Sequence, residues 1–180
     1  MIKMLNVVSR IDRDKDFFVN YLEVISILKF KYNIIFNIKI IGNVYDEDVY
    51  HKLIEDIRRL DIISQVEITK KSIPFSKLFK TENDYYINAC IGDFVGYSSI
   101  ECIENEMKTI FFNISENKID SQNISFCNTI DDLVILLLNL FSNDEVNIRL
   151  KNDNQLLLER FMLDDLEKIN LLSILKGSNI

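Results

Sequence analysis

Two short stretches of the chain concentrate residue types suited to holding negative charge. In IGDFVGYSSIECIEN (91–105), two of only four glycines, Gly92 and Gly96, bracket Asp93, and Ser98 and Glu101 lead into an apolar, helix-like run. A flexible backbone that turns at once into a helix leaves unpaired N–H groups facing outward. The helix dipole adds positive potential at the same place, so both features favour an anion. In SRIDRDKD (9–16), a single loop carries Arg10, Arg13 and Lys15. Arginine offers a planar fork to two oxygens and lysine a point charge. Together the stretches ask for a phosphate-bearing ligand.

Each residue also has a plainer reading. Ser98-x-x-Glu101 has the spacing of a capping box, which satisfies a helix start with no ligand at all. Asp93 after Gly92 fits a turn, and Arg10 and Lys15 could be solvated surface charges. Arg13 reads as solvated, and His51, the only histidine, as a surface residue, so a Ser–His pair or a His-rich metal site has no support. The acidic residues at 46–48 and 144–145 read as helix N-terminal charges rather than a calcium loop. Cys90, Cys102 and Cys127 are odd in number and lack C-x-x-C spacing, which predicts reduced thiols, with Cys90 and Cys102 buried beside the sheet.

The elements that must position these loops alternate from one end of the chain to the other. Strands are expected at 4–8, 36–42, 65–69, 84–90, 109–114 and 123–127, from their β-branched and aromatic runs. Helical spacing of apolar residues marks 16–30, 46–60 and 98–106. KSIPFSKLF (71–79) holds the only proline and a single helical turn. Thr129-x-x-Asp132 opens a further helix whose Leu-rich part, 133–141, is a core segment interrupted by Asn139, and the chain from about 144 is polar-rich and helical. Strands alternating with helices predict an α/β fold: a single Rossmann-like domain over 1–180, with a parallel sheet and helices on both faces. Ligands of such sheets bind outside the carboxyl ends of the strands. The loops after the first and fourth strands are the two described above.

With 180 residues, 48% of them hydrophobic, the chain is long enough for one well-buried core. A formal charge of −7 argues against nucleic acid as a partner, because a phosphate backbone wants clustered Lys and Arg. MIKMLNVVSR lacks the features of a signal peptide, and the longest apolar run is too short to cross a bilayer. A cytoplasmic location is expected.

The loops together resemble the C-terminal, donor-binding half of GT-B glycosyltransferases, in particular the large retaining group called family four. VSRIDRDK (8–15) is similar to the family's G-R-L-x-x-x-K segment and aligns Arg10 and Lys15 with its diphosphate-binding Arg and Lys. IKIIGN (38–43) is similar to its second strand, which ends in a glycine, here Gly42. DFVGYSSIE (93–101) is similar to its E-G-F-G-x-S-x-x-E signature, and ERFMLDDLEKINLL (159–172) to its closing helices. The chain departs from the pattern at Asp93, where the family has glutamate, at Val95 in place of an aromatic, and at Ser9 in place of glycine. The turn after the third strand reads Lys70-Lys71-Ser72, where the family carries a glycine.

The resemblance implies a nucleotide-diphosphate sugar as substrate, with no metal or other cofactor. It implies that Arg10 and Lys15 stabilise the departing diphosphate and that Asp93 faces the sugar and the charge developing at its anomeric carbon. Glu101 would hold the ribose, backbone N–H groups near Gly96, Tyr97 and Ser98 would meet the phosphate, and Gly42 would line the donor site. A complete enzyme of this kind has a second, acceptor-binding N-terminal domain. The partner expected is therefore that domain, in cis or as a separate subunit; membrane association of the complete enzyme is left open. Polysaccharide or other glycan synthesis is the expected setting. The chain alone is expected to be a fragment or subunit inactive by itself. Two other readings stand beside this one. The first is a non-catalytic GT-B-like subunit that stabilises a glycosyltransferase. The second is a flavodoxin-like signalling domain, which would carry an acidic cluster at the strand ends.

Overall fold

Runs rich in Ile, Val and aromatic residues become strands because both of their faces find helices to cover them. The computed structural model describes residues 3–15, 17–74, 77–78, 81–92 and 94–161. In chain order the elements are β1 (Lys3–Val8), α1 (Phe18–Tyr32), β2 (Phe36–Ile41), α2 (Glu47–Arg59), β3 (Val66–Ile68) and β4 (Asp84–Cys90). They continue with α3 (Tyr97–Glu104), β5 (Lys108–Asn113), β6 (Phe126–Cys127), α4 (Ile130–Ser142) and α5 (Asp144–Phe161). The predicted turn at 71–79 falls partly outside the described residues, and the predicted closing helices do so from residue 162 onward.

The six strands are parallel and ordered β3-β2-β1-β4-β5-β6. This is the predicted Rossmann-like α/β architecture. Its strand order reverses between β1 and β4, which pair directly with Leu5 opposite Tyr85. The loops leaving those two strands therefore flank one crevice, the switch point at which open α/β sheets take their ligands.

One face of the sheet (Leu5, Val7, Ile38, Ile40, Ile87, Ile110) packs on Tyr21, Leu22 and Ile25 of α1 and on Leu133 and Leu137 of α4. The other face carries Phe111 with Ile103 of α3 and Leu157 and Leu158 of α5. Burying each such side chain contributes about 1.5–3 kcal/mol. The Leu-rich 133–141 segment is thus core, as its composition predicts, and Cys90, Cys102 and Cys127 are buried. No helix among the described residues is long and apolar enough to cross a membrane.

Two helix starts follow their sequence signals. Asp46 accepts from the N–H groups of Asp48 and Val49 at the head of α2, and Thr129 accepts from Asp132 N–H at the head of α4. The sixth strand is shorter than predicted, at 126–127 rather than 123–127. The Asn123 side chain accepts from Ser125 N–H at 2.8 Å and Asp153 accepts from Ile124 N–H at 2.8 Å, so side chains take donors that a ladder would otherwise use. Where β6 does not reach, Asn154 of α5 takes the place of a neighbouring strand. It accepts from Thr109 N–H at 2.7 Å and donates to Thr109 C=O at 2.9 Å.

Candidate functional site

The loop after β1 is fastened to the loop after β2 rather than left free. Ser9 N–H donates to Ile41 C=O at 3.0 Å, Ile11 N–H to Asn43 C=O at 2.9 Å, and Tyr45 N–H to Ile11 C=O at 2.9 Å. Ile11 is fully buried and anchors the loop. Gly42 makes this approach possible, since a Cβ there would sit 2.0 Å from the Ser9 carbonyl oxygen. Gly42→Ala should therefore push the Arg10 loop away and destabilise the fold by about 1–3 kcal/mol, the range for overpacking. Urea unfolding of that variant checks it.

Within the loop the cations are met by acids. Arg10 Nη2 lies 2.8 Å from Asp14 Oδ2, and its Nε 3.5 Å from Asp12 Oδ2. The hydrogen bond from Arg10 holds the Asp14 carboxyl below the usual carboxylate range. Lys15 Nζ is 3.5 Å from the same Asp14 carboxylate, and its side chain lines a small cleft with Phe18, Val49 and Asp56, between α1 and α2. Arg13, expected to be solvated, is exposed but pairs with Asp46 and lies 3.8 Å from Asp48 at the head of α2. Asp46 titrates below the normal range, first because Val49 N–H donates to it and then because of Arg13. Loop-to-loop pairing of this kind depends on the tertiary fold, which the local sequence does not display.

The loop after β4 is built differently. Gly92 has φ +59°, the left-handed region that glycine tolerates, and its N–H donates to Asn113 Oδ1 at 3.1 Å. Phe94 N–H closes a tight turn onto Ile91 C=O. Asp93, the proposed sugar-facing carboxylate, lies outside the described residues. Val95 is buried with Ile103 and Phe111, whereas Phe94 (71% exposed) and Tyr97 (81% exposed) stand out at the rim.

The capping box predicted at Ser98-x-x-Glu101 does not form. Gly96, in extended conformation, is the N-cap residue, so α3 begins at Tyr97 and Ser98 sits inside the first turn with no side-chain cap. The backbone N–H groups of Tyr97 and Ser98 have no partner among the described residues, and the first turn of α3 carries no acidic residue. Glu101 follows in the second turn, half-buried. This helix start keeps its donors available, unlike those of α2 and α4.

The structure thus places Arg10, Lys15, Gly42, Gly96, Tyr97, Ser98 and Glu101 at one edge of the sheet, in or just after loops leaving β1, β2 and β4. Arg10 and the head of α3 belong to adjacent strands, while Lys15 leans towards α1 and α2. Two cations were missed by sequence reasoning. Lys118 and Arg160 line a cleft of about 420 Å³ with Gly92, on the β5 side of the same edge. Lys118 follows a strand that the sequence did mark, so reading the loop after the fifth strand as closely as the first would have found it. Cys127 is buried, and that burial pushes its thiol up to about 12. Among the described residues no group of three or more His, Cys, Asp or Glu side chains could hold a metal ion.

No family model matches the chain, and no curated protein matches it by sequence. Solved structures do match its shape. S. aureus TarM, solved with Fondaparinux, α-GlcNAc-glycerol and UDP, superposes with a TM-score of 0.70 at 17% identity, over 99% of this chain and 36% of TarM. Anabaena HepE, solved with UDP and glucose, gives 0.67 at 12% identity, over 98% of this chain and 48% of HepE. The C-terminal domain of the group 1 glycosyltransferase LpcC from Francisella tularensis gives 0.59 at 13% identity, over 88% of this chain and 85% of that domain. The fold is that of a GT-B C-terminal domain. The chain spans less than half the length of TarM and HepE, and most of the isolated LpcC domain. The crevice between β1 and β4 is flanked by the loops leaving those adjacent strands, one bearing Arg10 and the other leading to the head of α3.

Proposed function

We propose that the chain is the donor-binding domain of a retaining glycosyltransferase and holds a nucleotide-diphosphate sugar at the crevice between β1 and β4. The observation that carries this reading is the uncapped start of α3, whose Tyr97 and Ser98 N–H groups have no partner among the described residues, after the strand next to the one whose loop bears Arg10. Two proteins of the same fold, TarM and HepE, were solved with UDP.

In this scheme the bond between the anomeric carbon and the distal phosphate oxygen breaks, and its electron pair leaves with the diphosphate. An acceptor hydroxyl oxygen bonds to that carbon and gives its proton to the departing diphosphate. Arg10, the α3 N–H groups and, from its flank, Lys15 stabilise that growing negative charge without reorganising at the moment of reaction. Asp93 faces the sugar and the positive charge at its anomeric carbon, Glu101 holds the ribose, and Gly42 keeps the Arg10 loop against β2. No metal is required, because fixed cations and a helix dipole already supply the potential.

Titration calorimetry with UDP, GDP and ADP at fixed salt tests the site. One of them should bind in the presence of a chelator, and Arg10→Ala should weaken that binding on the order of tenfold to a hundredfold, the effect of losing a charge-assisted hydrogen bond. Unchanged affinity in Arg10→Ala would remove Arg10 from the site.

A second reading, a GT-B-like subunit that stabilises a partner and binds no donor, is favoured by one observation: Asp14 engages both Arg10 and Lys15. Exposed ion pairs are weak, so a diphosphate should displace Asp14 readily if the site is a donor site. Asp14→Ala should then tighten nucleotide binding. Failure of both the native chain and Asp14→Ala to bind any of the three nucleotides supports the subunit reading.

A further inference from the structure

A cleft of about 560 Å³ opens at the opposite, N-terminal end of the sheet, between the starts of β1 and β5 and the first turns of α5. Lys3, Lys108, Lys151, Glu82, Asp144 and Asn147 line it. Lys3 and Lys108 are only 8% and 6% exposed, a degree of burial lysine rarely reaches unless an acid pairs with it. Here neutral acceptors hold the two ammonium groups. Lys3 Nζ donates to the Tyr85 hydroxyl at 3.0 Å and to Leu140 C=O at 2.6 Å, and Lys108 Nζ to Glu82 C=O and to Asn147 Oδ1 at 3.3 Å. The Tyr85 hydroxyl in turn donates to Asn147 Oδ1 at 2.6 Å, tying both lysines into one network.

Lys3 and Lys108, both set against the Tyr85 ring, and Lys151 at the rim outnumber the two carboxylates that line the cleft, Glu82 and Asp144, so its lining carries a net positive charge. Burial, then the nearness of Lys3 and Lys151, pushes the Lys108 ammonium down to about 8, against the pull of Asp84 and Glu82. Burial lowers Lys3 as well, against Asp144.

We propose that this cleft is a second binding site, for a small phosphorylated sugar or polyol, with its phosphate held among Lys3, Lys108 and Lys151. Three separate point charges suit a tetrahedral, multiply charged oxyanion better than a planar carboxylate, which arginine forks match. The volume falls in the range of small-molecule sites and exceeds what one inorganic phosphate fills. Glu82 and Asp144 at the cleft are acceptors for the hydroxyl groups of the remainder. The site lies at the other end of the sheet from the nucleotide crevice, so it is occupied independently of donor binding.

Amide-resolved NMR titration of the full chain distinguishes the two ends. A hexose monophosphate should shift the signals of residues 3–5, 82–85, 108 and 144–151 saturably, and inorganic phosphate the same signals more weakly. The unphosphorylated hexose should shift none of them. Lys151 is exposed, so Lys151→Glu keeps the fold and should weaken hexose monophosphate binding at least about tenfold. Lys108→Met should abolish it, with retention of the amide spectrum showing that the domain remains folded. Affinity should also fall from pH 7 to pH 9, as Lys108, which faces Lys3, Lys151, Asp84 and Glu82, loses its proton. Absence of saturable shifts at these residues, equal affinity in Lys151→Glu, or shifts centred on Arg10 and Tyr97 would each overturn the proposal. A nucleotide titration read at Arg10 and Tyr97 is unaffected by any of these outcomes, so the two sites fail or stand separately.

Discussion

Replacing Asn154 by leucine should destabilise the domain by about 2–5 kcal/mol, because it strands a buried N–H and a buried C=O at once. Both belong to Thr109 of β5, at a point that β6, only two residues long, does not cover. Asn154 is 2% exposed and meets both groups, so water cannot replace it without opening the packing of α5 on the sheet. For a chain of this size the loss corresponds to a fall in melting temperature of roughly 5–15 °C. Asn152, exposed on the same helix, is the control: Asn152→Leu should change stability by less than about 0.5 kcal/mol. Equal melting temperatures for the two variants would show that the amide bridge contributes nothing and that β5 finds other partners. The effect reaches the site indirectly. β5 pairs with β4 from Tyr85 to Cys90, and β4 delivers the loop that ends at α3.

What was legible in the sequence follows from how local each signal is. The strand at 84–90 coincides with its predicted bounds, because a central parallel strand buried on both faces must be a continuous run of apolar and aromatic residues. The head of α4 was legible for a similar reason, since its cap is local: Thr129 accepts from Asp132 N–H, and the Asp132 carboxylate accepts from Asn128 N–H. The head of α3 misled because Ser98 and Glu101 have the right spacing but the wrong starting point. Gly96 adopts the extended conformation one step earlier, and the box falls inside the helix. That difference bears on function, since a side-chain cap would have occupied the donors that the crevice presents.

Partnerships between separate loops were not legible at all. Arg13 reaches Asp46, and Lys3 reaches Tyr85, across distances in sequence that no local pattern encodes. Lys3 and Lys108 lie one residue before the strands predicted at 4–8 and 109–114, with no local signal to mark them, and only the sheet shows them buried together. The resemblance pointed to Arg10 and the α3 start, and the loops that carry them leave strands that pair directly at the switch point. It could not foresee that the aspartates within the loop engage Arg10 and Lys15.

Sugar transfer by this chain alone should be negligible, on the order of 10⁴-fold or more below the rate reached when an acceptor-binding domain is supplied. An acceptor hydroxyl must be held about 3–3.5 Å from the anomeric carbon, and that positioning alone can supply several powers of ten. The crevice between β1 and β4 presents one wall: the Arg10 loop, the head of α3, and the exposed Phe94 and Tyr97 at its rim. TarM and HepE, which share the fold, are more than twice as long as this chain. On the proposed reading, the opposing wall comes from a second domain, in cis or as a neighbouring polypeptide, which also excludes the water that would hydrolyse the donor. Adding that domain should restore turnover, measured as acceptor-dependent release of nucleotide diphosphate. Asp93→Asn should then lower kcat, since the proposed scheme sets that charge against the one developing at the anomeric carbon. Glu101→Gln should act mainly on KM, by loosening the ribose. The opposite assignment, with Glu101→Gln cutting kcat and leaving KM alone, would move Glu101 from the ribose to the reacting centre. Robust acceptor-dependent transfer by residues 1–180 without a partner would overturn the half-site account altogether, because an opposing wall would then have to come from the chain itself.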